Sequence, residues 1–422
     1  MKAISALGVG VAPAVVAQLA AAAVIAAMAV LPAAGAETEE DSSANLPNSP
    51  IYNKPFLVRG STAVGGYMDM EFRADKNSTF DQHRFVPFIY AAVSDRVHVA
   101  SEIEFEHGGF VSGSDETDGE IKIEFATMDI TAVEALHVRA GVVLSPVGRL
   151  NIYHDAPMLD LTDRPVVTRY VIPTTLSESG MGLFGTFYPS ELVVLTYEAY
   201  AVNGFNEDSV DPVTGELTLR DGRGSQKTDN NNSRSFTGRF AASPRLGTEI
   251  GVSLHTGKYD DAGNHNLTIT ALDAIYATGA WEFVGEAALA SAGYTPQLVP
   301  ADVSGVGNTP AIPGTAQSAS AVADETAKNW GTYLEARYHF LPGAIKALPM
   351  SVFTAVFRGE YVDRDSNVTG RDVQRGTFGL NFRITEETVI KNDLQLTRER
   401  ESGVSEWADT EAGYRLSFAT YF

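Results

Sequence analysis

Residues 145–179 place side chains of both charges inside an apolar segment. Arg149, His154, Asp155, Asp160, Asp163, Arg164 and Arg169 stand among Leu150, Ile152, Tyr153, Met158, Leu161, Val166, Val171 and Ile172. Nothing in their spacing proposes an acid, base and nucleophile acting together, so the chemistry on offer is electrostatic. Arginines facing aspartates across a narrow passage set up a transverse field that orients polar solutes. Two other stretches are weaker. Gly222-Arg223-Gly224-Ser225-Gln226-Lys227-Thr228 has the outline of a phosphate loop but lacks the glycine before its lysine and lies in a polar stretch, so a solvated turn explains it better. The acidic groups Asp115-Glu116 with Asp118, Asp260-Asp261, and Asp363 with Asp365 lack calcium-loop spacing, so no metal site and no cofactor is assigned.

A segment as long and apolar as 145–179, interrupted by Pro157, Pro165 and Pro173, is not expected to float in water. It is expected to fold into a hollow body and pack on its wall; a lid over the rim, or a contact with a neighbouring subunit, is the alternative. The rest of the chain describes such a body. Sixteen short segments alternate apolar and polar residues: 61–73, 80–92, 97–106, 119–129, 136–144, 180–188, 192–202, 234–242, 247–257, 266–276, 280–290, 329–340, 350–361, 374–384, 388–398 and 411–422. Period-2 alternation places one set of side chains on each face of a strand, as a wall between lipid and a wet lumen requires.

The connections have their own rhythm. Every second one is tight, as in Ser94-Asp95-Arg96, Ser243-Pro244-Arg245, Thr278-Gly279 and Glu386-Glu387, while those between are mostly long and polar, as in 203–233 and 291–328. Short periplasmic turns alternating with longer external loops, and an even number of strands, predict an all-β, transmembrane antiparallel barrel of about 16 strands, with 145–179 as its third external loop.

The chain ends fit this address. Residues 1–36 hold one charge, Lys2, then a long alanine-rich apolar run, and finish in Ala34-Gly35-Ala36; they read as a signal peptide cleaved after Ala36 rather than as an uncleaved anchor. Residues 37–55 form an acidic periplasmic leader and 56–422 the barrel. After residue 36 no stretch approaches the roughly 20 apolar residues of a membrane-spanning helix. The last strand alternates through Tyr414, Leu416, Phe418 and Phe422, and its aromatic end, with Phe418 and Phe422, resembles that of known barrels, which implies that the barrel assembly machinery would read it. The formal charge of -22 disfavours nucleic acid as a partner. With no cysteine there is neither a disulfide framework nor thiol chemistry.

If the apolar parity faces lipid, the other parity lines the lumen with Arg84, Glu102, Glu104, Glu106, Lys122, Glu124, Arg139, Glu335, Arg337 and Arg358, together with Glu198, Arg239, Glu282, Glu286, Glu360, Arg383, Lys391, Asp393 and Arg415. Most of these charges should pair across neighbouring strands, a few setting the field along the pore. A barrel of sixteen strands is wide enough for an aqueous channel.

In pattern more than identity, residues 80–187 resemble the phosphate-selective porin family. The residues that carry the resemblance are Arg84, the tight turn Ser94-Asp95-Arg96, Glu102 with Glu104, Asp129, and Gly141-Val142-Val143-Leu144-Ser145-Pro146-Val147-Gly148-Arg149. The resemblance implies a sixteen-stranded outer-membrane channel, usually a homotrimer, in a bilayer of lipid and lipopolysaccharide. It does not carry over phosphate selectivity, because the family's arginine ladder and lysine cluster have no counterpart and its Arg-Arg-x-Arg strand is reduced to Gln82-His83-Arg84. The expected function is passive passage of small hydrophilic solutes or ions. A non-conducting structural or adhesive barrel, and more remotely a barrel hydrolase, are the alternatives.

Overall fold

The computed structural model describes residues 57–59, 62–108, 119–297 and 323–422. The expected signal peptide and leader lie outside the described residues, as do most of the connections 107–118 and 291–328. In chain order the strands are β1 (Leu57–Arg59), β2 (Thr62–Ala74), β3 (Ser78–Ser94), β4 (Val97–Glu106), β5 (Glu120–Val133), β6 (Leu136–Leu144), β7 (Ser177–Phe187), β8 (Val194–Val202) and β9 (Ser235–Arg245). They continue as β10 (Thr248–Lys258), β11 (Asn266–Thr278), β12 (Trp281–Tyr294), β13 (Glu325–Phe340), β14 (Val352–Asp363), β15 (Asp372–Arg383), β16 (Thr388–Glu399) and β17 (Glu411–Tyr421).

Sixteen of them, β2 to β17, form a closed antiparallel barrel in which each strand pairs with the next and β17 pairs back onto β2, Tyr421 opposite Tyr67 and Tyr414 opposite Ala74. Closure leaves no row of unpaired backbone groups, which hydrocarbon would not tolerate. Each segment expected from alternation falls on one of these strands, and β6 matches its expected limits. At the seam Gly66 and Phe422 exchange both backbone hydrogen bonds, 3.1 and 2.9 Å. A Cβ on Gly66 would lie 2.6 Å from the Phe422 ring, so only glycine lets that ring lie flat against Phe85.

Alternation sorts the faces. Phe85, Ile123, Phe240, Val252, Leu272, Leu334, Phe357, Leu380, Phe418 and Phe422 point outward and are exposed, forming an apolar belt far larger than water-facing surfaces carry. Near the tight turns, Trp281, Tyr338, Phe340, Phe353 and Phe382 form a row of stacked and tilted rings at centroid distances of 4.7 to 6.2 Å. The amphipathic rings of Trp281 and Tyr338 among them suit a membrane interface.

The ladder shifts register at five places among the described residues, three of them at tight turns and two within the wall. Between Asp69 and Glu71 the pairing of β2 with β3 slips by one residue, and between Glu102 and Ile103 that of β4 with β5 does the same. The second slip puts Glu124 and Phe125 both inside, because an extra residue reverses side-chain parity beyond it.

Inside, the expectation of a uniformly charged wall needs correction. Leu267, Ile269 and Ala271 on β11, Val284, Ala288, Ala290 and Ala292 on β12, and Ala327 on β13 face inward and are buried in an apolar core. These strands are apolar on both faces over part of their length, so alternation of polarity could not assign their lumenal side.

Candidate functional site

Residues 145–176 leave the wall after Leu144 and return at Ser177. The return strand thus begins inside the expected loop range, because residues 177–179 pair with 142–144. Nearly the whole segment is buried inside the barrel. One side chain ties its two ends: the Asn151 amide donates to the carbonyls of Ser145 (2.7 Å) and Leu176 (3.0 Å), and its oxygen accepts from the Leu176 N–H (2.8 Å). An asparagine between Leu150 and Ile152 carries no sequence signal of such a role.

From that staple the segment touches successive parts of the wall. The Gly148 N–H donates to Ser253 on β10 (2.8 Å) and the Leu150 N–H to Glu286 on β12 (3.2 Å). Gly148 has φ +70°, and a Cβ there would fall 2.7 Å from the Glu286 carboxylate. Ile152 joins Tyr90, Ala100 and Phe125, and Ala156 packs with Tyr67, Val86 and Phe88. A short α-helix, α1 (Val167–Tyr170), lies against β13 and β14, where Asn329 donates to the Tyr170 carbonyl (2.7 Å).

The acidic residues of this segment are directed to the wall, not toward its own arginines. Asp155 accepts from the Tyr421 hydroxyl (2.8 Å). Asp160 lies 2.8 Å from Arg383 and 3.3 Å from Arg337, and Asn381 donates to its carbonyl. Asp163 lies 3.2 Å from Arg415 and 3.3 Å from Arg73. Burial pushes both of these carboxyls up, but the guanidiniums outweigh it: Arg383 and Arg337 hold Asp160 down to about 2, and Arg73, Arg415 and Arg375 do the same for Asp163. His154 meets Glu124 at 3.2 Å.

The segment's basic residues are less engaged. Arg149 stacks on the Tyr153 ring at 4.7 Å with its Nε unbonded, and Arg164, in the field of Glu104 and Glu106, leaves Nε and Nη2 without hydrogen-bond partners among the described residues. Arg169 is exposed on α1.

The wall residues pair largely with one another. Arg84 bonds Glu104 (2.7 Å) and Glu106 (3.0 Å), and Arg139 holds Asp129 through two bonds of 2.7 and 2.8 Å. Arg358 and Arg337 share Glu335, and Arg358 also donates to the Asp163 carbonyl (2.7 Å). Lys122 donates to the Thr175 carbonyl (3.0 Å). Glu102 is buried among them. Arg73, Asn381, Tyr421 and Asn151 were absent from the expected site. Arg73 and Tyr421 follow from the inward parity of β2 and β17, but their partners do not.

Between segment and wall lies a cavity of about 190 Å3, where Arg149, Tyr153 and Leu161 face Tyr333, Arg337 and Arg358. Toward the loop end a wider recess of about 670 Å3 is lined by Arg73, Lys76, Arg375, Gln395 and Arg415. Both recesses are bordered by fixed charges of the wall, and the smaller one also by Arg149 of the buried segment.

Known structures share this architecture. The outer membrane channel DcaP of Acinetobacter baumannii superposes with a TM-score of 0.51 over 87% of this chain and 100% of its own, at 10% identity. Salmonella typhi OmpF, in complex with daunomycin, gives 0.51 over 87% and 100% at 11% identity. An anion-selective porin from Comamonas acidovorans gives 0.50 over 86% and 99% at 10% identity. At such identity the likeness is one of fold. No family model matches the sequence. An uncharacterized protein of Aquifex aeolicus is 31% identical over 224 residues, 52% of this chain; the chain spans about half the length of that curated relative.

Proposed function

We propose that this protein is a passive, porin-like channel of a Gram-negative outer membrane, admitting small hydrophilic solutes or ions through a lumen narrowed by residues 145–176. The observation that carries the reading is the burial of that segment inside a closed barrel whose outer surface is an exposed apolar belt. The fold shared with outer-membrane channels and porins supports it. Phosphate selectivity is no part of the proposal, because Arg337, Arg358, Arg383 and Arg415 are engaged by carboxylates and offer no open ladder. Arg149, which lines the cavity between segment and wall, is a side chain that a passing solute would meet. The reading includes a signal peptide over 1–36, assembly through the terminal aromatic strand, a homotrimer, and lipid with lipopolysaccharide as surroundings.

Planar-bilayer recording under a salt gradient tests it. Discrete conductance steps with a measurable reversal potential are expected. A purified protein that inserts and never conducts would return the reading to a structural or adhesive barrel.

A further inference from the structure

The bulge in the pairing of β2 with β3 aims His83 inward beside Arg84, although alternation from Phe85 would send it elsewhere. It brings the imidazole against two carboxylates of β2. His83 Nδ1 lies 2.5 Å from Glu71 Oε1 and 3.6 Å from Asp69 Oδ2, and ligand atoms of all three residues fall within 4.8 Å of one another. Two donors that share one ion at about 2.1 Å stand roughly 3 to 3.4 Å apart, so this spacing needs only small adjustment.

The outer oxygens are already held. Arg73 binds Glu71 Oε2 (2.7 Å) and Ser417 binds Asp69 Oδ1 (2.6 Å), leaving Oε1 and Oδ2 directed at the imidazole. Asp69 is 1% exposed, yet its Oδ2 has no hydrogen-bond partner among the described residues. Outer partners of this kind orient metal ligands, and a bulge that re-aims one side chain into a polar cluster is a recurrent device at functional sites. His107 stacks on His83 at 5.4 Å and contacts Asp81 at 3.0 Å, placing a second imidazole and a third carboxylate beside the group.

We propose that Asp69, Glu71 and His83 form a binding site for a divalent transition-metal ion of the Zn2+ type on the lumenal wall at the barrel's closing seam. Imidazole with carboxylates favours such ions over Mg2+ or Ca2+, which gain little from nitrogen. The charges of Arg84 and Lys391 border the cluster and oppose any cation there, so only an ion that profits from His83 binds.

The test is Zn2+ titration of the full-length protein, folded in detergent, by isothermal calorimetry. One equivalent should bind the wild type, His83→Gln should weaken binding about tenfold or more, His137→Gln at the tight-turn end should change nothing, and Mg2+ should not compete. Electron paramagnetic resonance of the Cu2+-loaded wild type gives a reading that needs no variant: nitrogen hyperfine coupling from imidazole is expected. A wild type that takes up no Zn2+, a His83→Gln protein that binds as tightly, or a Cu2+ spectrum with oxygen ligands alone would overturn the site.

Discussion

The inner wall holds residues 145–176 in two different ways. Along β14 to β17 and β2, with Arg337 from the turn end of β13, the grip is polar: Asp160 and Asp163 are fixed by Arg337, Arg383, Arg415 and Arg73, while Glu360 and Asp393 accept the backbone N–H groups of Val166 and Thr162 at 2.5 and 2.6 Å. Along β11 to β13 it is apolar: Val166, Val167, Val171 and Ile172 bury against Ile269, Ala288, Ala290 and Ala327, joined by Phe205, Leu217 and Leu219 from the connection between β8 and β9. The polar arc sets orientation, since a guanidinium accepts a carboxylate in few geometries. The apolar arc excludes water without direction. A constriction needs both, one to fix which groups face the passage and one to keep the segment from lifting away.

Breaking one arc at a time separates them. The largest effect is expected from Asp160→Ala, which takes from Arg383 its carboxylate partner and from Arg337 one of three; losing one partner of a buried ion pair costs about 3–5 kcal/mol. Denaturant unfolding of the detergent-folded protein should show that loss, and single-channel conductance should rise as the segment loosens. On the other arc, Ile172→Ala should cost about 2–5 kcal/mol by leaving a cavity at a side chain with 0% exposure. Its effect on conductance should be smaller, because the polar anchors stay.

Acid sharpens the contrast. A carboxyl lowered on folding contributes fully above its unfolded value and loses that contribution as pH falls through its folded one. Asp160 and Asp163, held at about 2 against an ordinary 3.8, should therefore lose their anchoring between pH 4 and pH 2. That is about 2 kcal/mol each. Across that range the deficit of Asp160→Ala against wild type should shrink by about 2 kcal/mol, while that of Ile172→Ala persists. A deficit of Asp160→Ala that stays unchanged down to pH 2 would mean that packing, not charge, holds the polar arc.

The smallest energetic change, and an electrical one, is Arg149→Gln, which keeps a polar side chain of similar reach beside Glu282 and Glu335. Arg149 makes no ion pair in either anchor, so stability should move little while the reversal potential shifts toward cation preference in a bilayer under a salt gradient. An unchanged potential would remove Arg149 from the ion path.

The barrel was legible in the sequence because its cause is local. Each strand separates two environments, so the alternation in 97–106 or 411–422 shows without knowledge of any partner, and turn length alternates for the same reason. Alternation failed where the cause is not local. The inward faces of β11 and β12 are apolar because residues 145–176 and 203–234 cover them, and no window on either strand contains that cover. The inward direction of His83 and Phe125 is hidden from alternation for another reason: one extra residue in a pairing reverses parity, and pairing is a property of two strands. At the site, the sequence marked residues 145–179 as an unusual segment by its mixture of apolar and charged residues. It suggested that the segment's aspartates face its own arginines, whereas they meet Arg73, Arg337, Arg383 and Arg415.

By itself the sequence determined a closed β-barrel, with polar residues on one strand face, apolar residues on the other, and a segment too apolar to stay in water. These follow from the solvent each residue meets, and solvent preference is a property of single side chains. Tertiary structure alone decided which wall arginine each aspartate meets, which part of the lumen is dry, and that Asn151 closes the segment's ends. Those outcomes depend on distances between residues far apart in the chain, which only closure of the barrel brings within hydrogen-bond reach.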